Sequence, residues 1–139
     1  MNLLINIDVD DVAAAERFYT TAFDLKVGRR LGREVVEVLG AAAPIYLIQA
    51  PTGTAPTPEV ARRRDYARHW TPVHLDIVVA DVDAAVARAV AAGAVLERPA
   101  QSHDWGRIAG LADPWGHGFC LLRFSERGYD ALVTPVTGA

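Results

Sequence analysis

Two tandem βαβββ modules, an α+β architecture, are predicted by this sequence on two observations. Shifting the chain against itself by 70 residues lays INIDVDDVAAAERFYTTAFDLKV (5–27) without a gap on LDIVVADVDAAVARAVAAGAVLE (75–97). Val9 then meets Val79 and Asp11 meets Asp81. Each of these segments is followed by three strand-like runs punctuated by Gly, Pro and Asp.

The first strand alternates, and alternation sends successive side chains to opposite faces. Leu3, Ile5, Ile7 and Val9 form an apolar face that suits packing under a helix; Leu4, Asn6 and Asp8 point the other way. Asp11 then has the chemistry of a helix N-cap, its carboxylate accepting from free N–H groups at the start of a helix from Val12 to about Phe23. LKVGRRL, REVVEVLG and PIYLIQA complete the first module, residues 1–50. The next segment, PTGTAPTPEVARRRDYARHW (51–70), has connector composition and no strand alternation, and its basic run RRRDYAR reads as a solvated linker or short helix.

The second module, residues 71–126, repeats the plan. Val73, Leu75, Ile77 and Val79 make the helix face, and His74, Asp76 and Val78 the opposite one. Asp81 caps a helix from Val82 to about Ala92 that Gly93 closes, and AVLERPAQ, GRIAGLAD and GFCLLRF follow, with a tail at 127–139. A unit of about 60 residues buries too little apolar surface to stand easily alone, so the modules are expected to pair.

The 139 residues are 51% hydrophobic, ample for a packed core, and carry a net charge of −3, which argues against nucleic acid as partner. No uninterrupted apolar run reaches the roughly 18 residues of a membrane span, and no signal-peptide pattern develops after Met1, so the expected location is the cytoplasm. A single cysteine excludes an internal disulfide and a thiolate zinc knuckle.

A duplicated βαβββ unit with Phe18 and Tyr19 on the capped first helix, ending in DPWGHGFCLL (113–122), resembles the vicinal oxygen chelate superfamily. That superfamily includes glyoxalase I, bleomycin-resistance proteins, extradiol dioxygenases and thiol-transferring fosfomycin-resistance enzymes. The resemblance runs from about Leu3 to Phe124, and its most specific part is Asp113, Pro114, Gly116, Phe119 and Leu121. It implies that eight strands curl into a cup-shaped mixed β-sheet with the helices outside and a ligand or metal inside, and that the chain is a homodimer.

By alternation, the inward-facing set is Asn6, Asp8, His74 and Asp76, joined by Tyr46 and Ile48 from the first module and Cys120 and Leu122 from the second. In metal-using members the ligands stand on the first and last strand of each half; carried over, those positions are Leu4, Tyr46, His74 and Cys120. Only His74 matches the usual His, Gln or Glu. Leu4 has no donor and a phenol is a poor ligand, so no metal is expected at these positions. A displaced site using Asp76, Asn6 or Asp8 is the alternative.

Three functional classes follow. The first is a metal-free small-molecule binding protein whose acidic cup suits a cationic or polyhydroxylated ligand, with Asn6, Asp8, Tyr46, His74, Asp76, Trp105 and Cys120 touching the ligand. The second is a lyase, isomerase or dioxygenase-like enzyme with a non-standard metal site, or with His74 and Asp76 as acid and base bridged through water. The third is an interaction module. Cys120 as nucleophile would need His74, which the fold is expected to hold across the cup. Trp70, Trp105 and Trp115, with His69, His103 and His117, form either an aromatic rim or a cover over strand ends, and Arg107 either reaches the cup or lies at the surface.

Overall fold

Each module starts with a strand that runs into a helix held by an aspartate. In the computed structural model, which describes residues 1–134, β1 is Ile5–Val9 and α1 is Val12–Phe23. Asp11 accepts the Ala14 N–H at 3.0 Å. In the second module β5 is Leu75–Val78 and α2 is Val82–Ala92, and Asp81 accepts the Ala84 N–H at the same 3.0 Å. Gly93 closes α2, its N–H bonded to the last-turn carbonyls.

Three strands follow each helix: β2 (Lys26–Leu31), β3 (Val35–Leu39) and β4 (Ile45–Gln49), then β6 (Val95–His103), β7 (Gly106–Ala112) and β8 (Gly118–Phe124). The sheets are ordered β1-β4-β3-β2 and β5-β8-β7-β6, with β1 parallel to β4, β5 parallel to β8 and the other pairs antiparallel. The predicted topology is thus present twice. A short 3-10 turn, Gly128–Leu132, stands in the expected tail, of which residues 135–139 lie outside the described residues.

Among the described residues the eight strands form two four-stranded mixed sheets, and β1 and β5 are edges that do not pair with each other, so the cup is not closed. Strands in a ladder lie about 4.8 Å apart. Here a cavity of about 520 Å³ is lined by both β1 and β5.

One apolar core joins the modules. Val9, Val38, Leu47, Leu111 and Leu121 are buried beneath the helices with Phe18, Ala15 and Ala89. Arg88 of α2 donates to the Ala22 carbonyl of α1 at 3.0 Å. The strongest stitch is the DPWGHGF turn. Asp113, 3% exposed, accepts the Trp115 and His117 N–H groups at 2.9 Å each and the Tyr19 hydroxyl of α1 at 2.6 Å. Trp115 packs edge-on against Phe18 and donates through its indole N–H to Asp10 at 2.8 Å. Gly116 sits at φ +80°, where a Cβ would fall 2.2 Å from the Ala67 carbonyl oxygen, so only glycine lets segment 51–70 cross this turn.

Candidate functional site

On the face away from the helices, strand register aligns one row of side chains per module. In the first module Asn6 pairs with Tyr46, and Tyr46 with Glu37. A bulge between Val27 and Arg30 brings Arg29 over the end of this row. The Glu37 carboxylate receives Arg29 Nε at 3.0 Å, Arg29 Nη2 at 2.7 Å and the Tyr46 hydroxyl at 2.6 Å. The hydrogen bonds from Arg29, then Tyr46, hold the Glu37 carboxyl down at about 2, and the bond to Glu37 pushes the Tyr46 phenol upward. Tyr46 is therefore a protonated donor locked to its neighbours, not a metal ligand.

In the second module the equivalent row is Asp76, Cys120, Gly110 and Arg98, each registered against the next. Glycine stands where the first module has its glutamate. Bulges on both sides of Arg98 re-aim it across the sheet, and a Cβ on Gly110 would lie 2.6 Å from Arg98 Nε and 3.0 Å from Nη2, so the Nε–Nη2 edge of the guanidinium takes the space a side chain at 110 would fill. Arg98 Nη2 donates to Cys120 Sγ at 3.4 Å. Cys120 is buried, and burial followed by the charge of Asp76 pushes its thiol upward, which disfavours a free thiolate nucleophile.

Two geometric expectations for this row are corrected. His74 and Asp76 were expected to meet only through water; instead His74 Nε2 lies 3.2 Å from Asp76 Oδ1, because His74 precedes the regular part of β5 and its ring is free to fold over. Cys120 does not face His74 from across the cup. Strand β8 is hydrogen-bonded directly to β5, so His74, Asp76 and Cys120 gather on one sheet with their donor atoms within 4.8 Å of one another.

The cavity beside this row places Asn6 and Asp8 of β1 with His74, and adds His69 and His117. His117 donates from Nε2 to the Asp8 carbonyl at 2.8 Å, which fixes its tautomer, and its ring meets His69 edge-on at 4.7 Å. Burial, then His117, lowers the pKa of His69 and keeps it neutral.

The expected bare acidic cup is absent. Asp8 is paired with Arg64 at 2.8 Å, Glu37 with Arg29, and Glu97 with Arg68 at 2.7 and 2.8 Å. Arg64 and Arg68 of segment 51–70 therefore pair with carboxylates at the site, while Arg62 and Arg63 stay exposed as expected of a solvated run. Tyr66 fastens the segment by donating to the Ala50 carbonyl at 2.6 Å.

The aromatic rim divides. Trp70 tilts against the His74 ring at 5.4 Å and is exposed, whereas Trp115 is core. Trp105 stacks on His103 at the β6–β7 hairpin beside Phe124 and Tyr129 and does not line the cavity that holds Asn6, Asp8 and His74. Arg107 is paired at the surface with Asp83 at 2.9 Å. Of the two remaining inward-facing positions, Ile48 is half-buried and Leu122 fully buried.

For a metal, the four carried-over positions do not fit: Leu4 is exposed and without a donor, and Tyr46 is committed to Glu37. The donor count behind the metal-free expectation nevertheless needs correction. Asp76 joins His74 and Cys120 to make an imidazole, carboxylate and thiol set, which suits a zinc-like ion better than Mg²⁺. Against it stands the Arg98 cation beside the sulfur.

Sequence reading missed Glu37, Arg29, Arg64, Arg68 and Arg98. For Arg29 and Arg98 the signal was hidden by bulges, since a one-residue slip exchanges the faces of a strand. Arg64 and Arg68 come from a segment without periodicity.

With fold and rows defined, comparison with known proteins gives the class. The model for the glyoxalase-like domain matches residues 4–122, and the chain belongs to that family. A protein of Mycobacterium bovis without an assigned role is 32% identical over 123 residues, covering 81% of this chain and 76% of its own. An anthracycline biosynthesis protein of Streptomyces peucetius is 30% identical over 129 residues, 93% of this chain but only 43% of the larger protein. Among solved structures, a glyoxalase/bleomycin resistance protein/dioxygenase family enzyme from Burkholderia phytofirmans aligns with a TM-score of 0.69 at 20% identity, covering 88% of this chain and 97% of that one. The fosfomycin resistance protein FosX of Listeria monocytogenes gives 0.69 at 18%, covering 91% and 95%. At these identities the structures speak for the fold. No helix among the described residues is long and apolar enough to cross a membrane.

Proposed function

We propose that this chain binds a small organic molecule in the cavity between β1 and β5, without the metal its superfamily often uses, and does so in the cytoplasm. The observation that carries this reading is the cavity itself. Its volume of about 520 Å³ falls in the usual range for small-molecule sites of about 300–1,000 Å³. Its walls are mostly apolar, from Ile5, Ile7, Phe23, Leu75 and Phe119, and Asn6, Asp8 and His74 are among the polar groups, with His69 and His117, that orient a ligand. Tyr46 and Cys120 support the site from the adjoining rows. Exposed Leu3, Leu4, Val73 and Val78 flank the unpaired edges, which favours a homodimer that covers them.

A second reading rests on the His74, Asp76 and Cys120 cluster. There a zinc-like ion would act as a Lewis acid for lyase or isomerase chemistry, with His74 and Asp76 holding it. Metal analysis of the purified protein, followed by melting with and without added Zn²⁺, separates the readings. The first predicts no stoichiometric metal and no stabilisation. Bound Zn²⁺ whose stabilisation disappears in His74→Ala overturns it in favour of the second.

A further inference from the structure

The two rows give the ligand a chemical class. In the first module a guanidinium, Arg29, is neutralised by the Glu37 carboxylate. In the second module the register-equivalent of Glu37 is Gly110, and the guanidinium above it, Arg98, has no carboxylate within 4.0 Å among the described residues. The nearby carboxylates are both engaged elsewhere, Glu97 by Arg68 and Asp76 by His74. Arg98 is left with a weak contact to the Cys120 thiol. It lines a small pocket with Arg68, Trp70 and His74, and that pocket shares His74, Gly118 and Phe119 with the large cavity.

We propose that the bound molecule carries a carboxylate, and that this carboxylate docks on Arg98, taking in the second module the place Glu37 holds in the first. The inference rests on the ligand-binding reading above and specifies its ligand. A planar guanidinium whose edge fills the space that Gly110 leaves open matches a carboxylate with two parallel hydrogen bonds, an arrangement a cation or a neutral hydroxyl does not reproduce. The body of the ligand then extends past His74 into the apolar cavity. The charge preference is opposite to that expected from the sequence, because each carboxylate visible there has acquired a basic partner.

The test uses three probes of one shape on the purified protein: benzoate, benzamide and benzylamine, with affinities from isothermal titration. Benzoate is expected to bind most tightly. Arg98→Gln should weaken it at least about tenfold, the scale of one lost charge-assisted pair, while Arg123→Gln, on exposed β8 surface, leaves it unchanged. Gly110→Glu supplies the first module's carboxylate from within; the clashing atoms belong to the flexible end of Arg98, so the variant is expected to fold and to lose benzoate binding. Benzamide or benzylamine binding as tightly as benzoate, or benzoate binding undiminished in Arg98→Gln, overturns the carboxylate assignment while leaving the cavity reading intact. Absence of binding by all three overturns both.

Discussion

The two modules share one design on their helix faces and diverge on the other. Beneath the helices, Leu47 and Leu121, both fully buried, stand at matching register positions beside Ile7 and Ile77, and Asp11 and Asp81 cap their helices at the same distance. On the opposite faces, Tyr46, Glu37 and Arg29 close into a self-satisfied network beside Asn6, whereas Asp76, Cys120, Gly110 and Arg98 leave a guanidinium open. Duplication requires the packing face of both copies to remain apolar. It places no such demand on the other face, where one copy is free to become scaffold and the other site.

The largest expected effect probes what the modules share. Leu47→Ala and Leu121→Ala should each destabilise by about 3 kcal/mol in chemical unfolding, within error of each other, because each empties a buried leucine site. Markedly unequal losses would break the equivalence of the packing faces. Next, Glu37→Gln weakens the Arg29 and Tyr46 contacts and should lower Tm by roughly 3–6 °C. A null result there would make the first row no more structural than the second.

The same network sets a pH dependence. Glu37 titrates at about 2 in the folded protein, below its usual 4.5, so the unfolded chain binds its proton first as pH falls. The stability this contributes is complete above 4.5 and is lost as pH drops through that window to about 2. Melting curves across it should show a decline for the parent chain that Glu37→Gln lacks. The smallest effect belongs to the open row: Arg98→Gln should shift Tm by no more than about 2 °C, since its side chain holds no carboxylate. A drop as large as that of Glu37→Gln would place Arg98 among the scaffold.

Much of the fold was legible because its signals are local and periodic. Asp11 and Asp81 announce helix starts, Gly93 a helix end, and the alternation in β1 and β5 assigns Asn6, Asp8, His74 and Asp76 to one face. The candidate site was only half legible. Alternation places residues on faces but is blind to bulges, so Arg29 and Arg98 stayed hidden. Nor does it foresee a long side chain arriving from an irregular segment, as Arg64 does on Asp8. Reading charges without their partners gave an acidic cup, and the partners offset that charge. The metal-free expectation likewise counted strand positions one at a time and missed that β5 and β8 pair directly, bringing Asp76 to His74 and Cys120.

The most direct test of the division between scaffold row and open row is an NMR titration with benzoate that follows the arginine Nε–H resonances. The Arg98 signal is predicted to shift progressively and saturably while the Arg29 signal, already bound to Glu37, stays in place. Equal movement of both, or movement of Arg29 alone, would contradict the account.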